Sequence, residues 1–157
     1  MIDALQDFTS SLAPVLQWAG VMLVAAIPFV ESYFGSVIGV LAGMNPAIAI
    51  AAAIVGNVAS MLVFVQSAHG VRSKVVGGKE PREPSPRRQK LRAQFDKYGV
   101  AGVSLLGQTI LPSQITSAAM VSFGASKNAV ILWQCISIVI WGVAFGVLAV
   151  LGVSLVG

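Results

Sequence analysis

Outside one short segment this chain carries almost no charge. Residues 72–97 hold nine of the ten basic residues and three of the six acidic ones, a local net of +6. The remaining ionised side chains are Asp3, Asp7, Glu31 and Lys127, a net of −2. Four uncharged stretches result, at 8–30, 32–71, 98–126 and 128–157. A water-soluble chain of 157 residues cannot hide 56% hydrophobic residues behind 10% charged ones, when a globular domain carries about 25% charged. Mean hydropathy is +0.84. The pattern excludes a soluble enzyme, a nucleic-acid-binding domain and a disordered chain, and it predicts an integral membrane protein.

The basic segment between apolar blocks is expected to be a cytoplasmic loop, because basic loops stay on the inner side of a membrane. Anionic lipid would attract it, at about 1 kcal/mol per basic residue near the surface. Nucleic acid is not an expected partner, since no aromatic residue interleaves with the charges before Phe95. Cys135 is the only cysteine. It cannot form an intrachain disulfide, and its apolar setting predicts a buried, inert thiol. Asp3 and Asp7 stand where a secretory leader would be basic, so no leader is expected.

Span lengths then constrain the architecture. Residues 128–157 reach about 45 Å as a helix, and 46–68 also suffice to cross. Residues 32–44 are too short to span and too apolar for a water-exposed loop. Pro112 divides 100–111 from 113–123, each near half a span, and pieces of that size suggest re-entrant segments. Pro28 and Pro112 each follow an apolar approach and precede polar residues. A glycine and a polar stop then follow, at Gly43-Met44-Asn45 and at Gly124 to Asn128. A long apolar helix comes next each time. The spacing reads as an internal repeat of helical hairpin and spanning helix.

The predicted organisation is an interfacial helix at 1–12, a re-entrant hairpin at 13–44 and a transmembrane helix at 46–69. A basic cytoplasmic loop with an amphipathic lead-in fills 70–97, where Pro81, Pro84 and Pro86 predict flexibility and Leu91, Phe95 and Tyr98 share a face. A second re-entrant hairpin covers 98–125 and a transmembrane helix 128–156. With the basic loop inside, the hairpins enter from opposite sides and the repeats are inverted, an arrangement common among transporters. The competing arrangement has four plain spans, both termini inside and Lys127 outside.

Glu31 is the acidic residue that interrupts an apolar block. A carboxylate there is costly unless paired, protonated or hydrated, which marks it as functional. Low dielectric disfavours its ionised form, while a position in the first turn of a helix favours it. That balance would let it exchange protons; the plainer alternative is a helix cap. Ser32 adjoins it. Gln108, Thr109, Ser113, Gln114 and Thr116 form a polar collar around Pro112. They are expected either to satisfy the backbone of the break, with Ser113 as a cap, or to form a substrate pocket with Glu31 at opposed tips. Asn57 is expected to hydrogen-bond between helices. Gly35, Gly39 and Gly43, the stripe Ala52, Gly56 and Ser60, and Gly142 with Gly146 permit close helix contact, within one chain or between two. No metal-ligand set, nucleophile–base pair or phosphate-binding loop is present, so neither cofactor nor catalysis is expected.

Ala26-Ile-Pro-Phe-Val-Glu31-Ser-Tyr-Phe-Gly35, followed by Leu41-Ala-Gly-Met-Asn-Pro46 and Ile54-Val-Gly-Asn57, resembles the small multidrug export protein family. So does the block from Tyr98-Gly99 through Pro112 to Trp141. That family is related to the DedA superfamily of membrane transporters, in which two opposed re-entrant hairpins are the expected plan. DedA proteins typically place arginines shortly before and three residues after the second hairpin's proline. Gln108 and Ile115 stand at the corresponding positions here, so both arginines are missing, while the acidic position is kept as Glu31. The resemblance implies a transporter-like scaffold. The expected protein is an all-α secondary membrane transporter, pairing as a homodimer. It would move an amphipathic drug-like or lipid substrate, coupled to protons through Glu31. The alternatives are a lipid-phosphate translocase and a non-transporting membrane subunit that alters bilayer or partner packing.

Overall fold

The structure is a computed structural model that describes residues 1–75, 86–108 and 110–156. Among the described residues it is all helical, with no strand. Its helices are α1 (Ile2–Ser11), α2 (Gln17–Ala25), α3 (Glu31–Leu41), α4 (Pro46–Val75), α5 (Pro86–Gly107), α6 (Ser113–Phe123) and α7 (Lys127–Val156). A 3-10 turn at Pro14–Leu16 leads into α2. Residues 76–85, read above as part of the flexible basic loop, lie outside the described residues, as does Thr109.

Two helices are long and apolar enough to cross a membrane. They are α4 over Pro46–Val71 and α7 over Lys127–Leu155. Each helix has 30 residues, about 45 Å of rise against a hydrocarbon core of about 30 Å. By contrast α2, α3 and α6 have 9, 11 and 11 residues.

Local chemistry explains the helix ends. Gly43 has φ 81° and closes α3. Its N–H donates to Val40 O at 3.0 Å, and the Met44 N–H donates to Gly39 O at 3.2 Å. This pairing is the Schellman motif, in which glycine reverses the backbone and the last carbonyls find donors. Gly124 (φ 111°) closes α6 in the same way. Its N–H donates to Val121 O at 3.1 Å, and Ala125 N–H donates to Met120 O at 3.0 Å. After the first stop, Asn45 Oδ1 accepts from the N–H of Ala47 at 3.0 Å and caps α4, with Pro46 set as its first residue, where no N–H is needed. Gly99 (φ 66°) breaks α5 into two helical pieces.

The chain forms two compact units. Unit 1 comprises Met1–Ser60 and Ile138–Gly157. Its centre is α3. A Cβ on Gly35 would meet Ala25 Cβ at 2.7 Å and Ala53 Cβ at 3.2 Å. One on Gly39 would meet Ala49 Cβ at 2.7 Å and Val21 at 3.1 Å. Thus α3 runs antiparallel to both α2 and α4 with backbones in close approach. The opposite relation holds for α7. Gly142 lies against Ser32 and Gly146 against Ser36, in parallel register. Ile2 and Leu5 of α1 cover Val24, Val30 and Ile38. The glycine stripes are therefore filled inside one chain, which removes the argument that they serve as dimer faces. Gly43, the expected third member of its stripe, has nothing within 4 Å of a Cβ and acts as a helix stop.

Unit 2 comprises Met61–Ser137. Here α5 packs against α6. Phe95 meets Phe123 at 6.1 Å between ring centroids, the Arg92 guanidinium lies 5.3 Å from the Phe123 ring, and Gly107 meets Thr116.

Gly39→Leu should destabilise the protein by at least the 1–3 kcal/mol typical of overpacking, because the nearest neighbours include the Ala49 backbone at 3.3 Å. Gly152→Ala, with nothing within 4 Å, should leave stability unchanged or slightly improved. Thermal unfolding in mild detergent tests this; equal midpoints for wild type and Gly39→Leu would refute the intrachain packing.

Candidate functional site

The α2–α3 turn places Glu31. Ala26 ends α2, and Pro28 lies in the turn, three residues ahead of the first residue of α3. Ile27 O accepts from the N–H groups of Val30 and Glu31 at 3.1 and 3.2 Å. The reversal uses left-handed backbone at two ordinary residues, Phe29 (φ 73°) and Glu31 (φ 54°). Such conformations cost about 1–3 kcal/mol each and persist where surrounding contacts fix them. Those contacts are visible. Ser60 Oγ, from α4, donates to Ala26 O at 2.8 Å. Tyr33 Oη donates back to Phe29 O at 3.1 Å.

Glu31 has no exposed surface. Its position in the first turn of α3 agrees with the sequence reading. Ser32, also wholly buried, donates its hydroxyl to Ile138 O of α7 at 2.9 Å. Ser36 donates to Ser32 O at 2.6 Å. Asn57 of α4 is buried in the same unit. Beside this polar row stands an aromatic group. Phe145 lies 5.5 Å from Tyr33, 6.4 Å from Phe34 and 5.8 Å from Trp141 between ring centroids.

The second polar group belongs to unit 2. Gln108, Ser113, Gln114 and Thr116 are all buried. Pro112 caps α6 without any side-chain hydrogen bond. The Ser113 hydroxyl donates to Gln114 Oε1 at 3.4 Å. The left-behind backbone is served by the turn itself, in which Ile110 and Leu111 N–H donate to Gly107 O at 3.0 and 2.9 Å. Thr116 Oγ1 reaches Leu111 O at 3.5 Å, and Ser117 Oγ donates to Gln114 O at 3.0 Å.

Among the buried polar residues that escaped the sequence reading are Ser104, Gln134 and Ser137. Their signal was spacing. Ser104 and Gln108 are four apart and Gln134 and Ser137 three apart, so each pair shares a helix face. Both polar atoms of Gln108 and of Gln134, and the hydroxyls of Ser104 and Ser137, are buried without a hydrogen bond. Each such group left unsatisfied costs about 1–3 kcal/mol.

Thus Glu31 and Ser32 sit together in unit 1, and Gln108, Ser113, Gln114 and Thr116 in unit 2. Among the described residues no three His, Cys, Asp or Glu side chains gather as a metal site. No family model, curated protein or solved structure matches the chain.

Ser32→Ala removes the α3–α7 hydrogen bond and should lower stability by about 0.5–1 kcal/mol. Ser67→Ala, whose exposed hydroxyl donates to Val63 O, should be silent. Chemical unfolding in detergent distinguishes the two, and equal effects would show that the Ser32 bond contributes nothing.

Proposed function

We propose that the protein is a secondary membrane transporter built from two inverted repeats, each a re-entrant hairpin followed by a spanning helix. The reading rests on one observation: a wholly buried carboxylate, Glu31, opens a short helix in a chain that also carries two membrane-length apolar helices. Ionisable groups at such places are costly and mark ion or proton pathways. Glu31 exchanges protons, and an amphipathic drug-like or lipid molecule is the substrate.

Local repetition supports the repeat. The helices α3 and α6 have 11 residues each, end in matching glycine motifs and lead into 30-residue helices. The resemblance to the small multidrug export family belongs to the same proposal. With the basic segment 70–97 on the cytoplasmic side, as its charge favours, the first hairpin enters from outside and the second from inside.

Glu31→Gln keeps the shape of the side chain and removes its titration. The variant should fold with normal yield yet reduce uptake of a lipophilic fluorescent cation, driven by a pH gradient into liposomes, to the level of protein-free vesicles. Wild-type rates in the variant would eliminate Glu31 as the coupling group. A wild-type protein that moves no probe would favour the non-transporting subunit.

Orientation is tested separately. In a Cys135→Ser background, Lys127→Cys should react with an impermeant thiol reagent from the cytoplasmic side only, and Ala47→Cys from the opposite side only. Reaction of the Lys127→Cys variant from outside would restore four plain spans.

A further inference from the structure

The charge of α5 stops at its break. Residues 86–98 carry five basic side chains and one acidic one, a net of +4, and residues 99–126 carry none. Gly99, with φ 66°, parts the two pieces. Tyr98 beside it is half exposed, and tyrosine favours the level where apolar membrane meets water. The basic piece is fixed on its apolar side, where Leu91 is buried and Phe95 meets Phe123.

A cleft of about 240 Å³ crosses this boundary within unit 2. Gln94 and Tyr98 line it before the break, and Leu106 and Ile110 line it beyond. Between them Gly102 and Gly107 leave the cleft wall without side chains. A Cβ on Gly102 would meet Tyr98 Cβ at 2.6 Å, so the tyrosine stem lies against that glycine. Leu106 and Ile110 are 62% and 65% exposed, an apolar end without cover. At the polar end the Lys97 ammonium lies 4.8 Å from the centroid of the Tyr98 ring. Asp96 does not neutralise it, because that carboxylate pairs with Arg92 at 3.4 Å.

The two ends restrict the occupant. A soluble anion such as free phosphate would leave the apolar end in contact with nothing. An uncharged lipid would leave the Lys97 ammonium without a counter-charge. An anionic amphiphile satisfies both ends. In a chain with two membrane-length helices, the bilayer itself supplies that molecule, and basic residues near its surface attract anionic lipid.

We propose that the α5 cleft holds one anionic phospholipid as a resident lipid. Its phosphate lies against Lys97, Gln94 and Tyr98, and an acyl chain runs past Gly102 to Leu106 and Ile110. The site belongs to unit 2 and involves no transport step, so it stands or falls apart from proton coupling at Glu31 in unit 1.

Native mass spectrometry of the full chain, in mild detergent equilibrated with lipid, tests the site. The probes are phosphatidylglycerol and phosphatidylcholine with identical acyl chains. Wild type should take up its first phosphatidylglycerol at about one-fifth of the concentration needed for phosphatidylcholine. Lys97→Gln should abolish that preference, whereas Lys90→Gln, exposed on the same basic piece, should keep most of it. Leu106→Asn, at an exposed position, should weaken uptake of both lipids. Equal uptake of the two lipids by wild type would overturn the proposal. Equal loss of preference in the Lys97→Gln and Lys90→Gln variants would do so as well, because the attraction would then be spread over the basic segment. A lipid-free pair of chains would overturn it by giving the cleft to a second copy.

Discussion

Close backbone contact along α3 is the constraint on which unit 1 depends. Lipid tails are as apolar as leucine, so helices in a bilayer gain little from burying hydrophobic surface against each other. They gain from dispersion at short range and from hydrogen bonds between helices. The sequence of α3 supplies both. Gly35 and Gly39 admit the backbones of α2 and α4, while Ser32 and Ser36 lie against Gly142 and Gly146 of α7. The Ser32 hydroxyl also ties α3 to the Ile138 carbonyl. An 11-residue helix would be marginal alone; here four other helices position it. Glu31 is the first residue of that helix, so the packing that fixes α3 also fixes the buried carboxylate.

Much of this was legible because the signals are local. A glycine before a polar residue and a proline, as at Gly43-Met44-Asn45-Pro46, specifies a left-handed stop and a new capped start within four residues. The structure shows that stop and that cap as hydrogen bonds. Glu31 in a first helical turn was legible for the same reason. Other features needed the third dimension. Small-residue stripes look identical whether they face the same chain or another, and only the register of 35 on 25 and 142 on 32 resolves them. The left-handed φ at Phe29 had no sequence signal, because phenylalanine is not selected for that conformation. Gln134 and Ser137 were hidden by the apolar run around them, which reads as a plain span when taken as a block.

The stretches that run from α3 into α4 and from α6 into α7 share a local frame and differ in chemistry. Each has an 11-residue helix, a glycine reversal and a 30-residue helix. Their starts are 82 residues apart and their reversing glycines 81 apart, counting from Glu31 to Ser113 and from Gly43 to Gly124. The prolines do not correspond as closely. Pro112 directly precedes α6, whereas Pro28 sits inside a turn braced by Ser60 and Tyr33. Relative to the proline, the helix start is offset by two residues, three after Pro28 and one after Pro112. The residue that opens α3 is a glutamate; the one that opens α6 is a serine. The frame is set by glycine and helix length, and the polar content varies within it.

That separation bears on how buried polar residues in apolar helices are read. A hydroxyl that returns its proton to the preceding turn is neutral toward its surroundings and says little about function. The serines at 36, 67, 117, 122 and 154 are of this kind. Ser104 and Ser137 have the same option and do not take it. Both also stand one helical turn from a glutamine that is equally unsatisfied. A single orphaned hydroxyl would be a local flaw in packing. Two hydroxyls and two carboxamides on two helices, each pair spaced to share a face, impose a repeated cost. Each of those groups costs about 1–3 kcal/mol, which the rest of the packing has to offset.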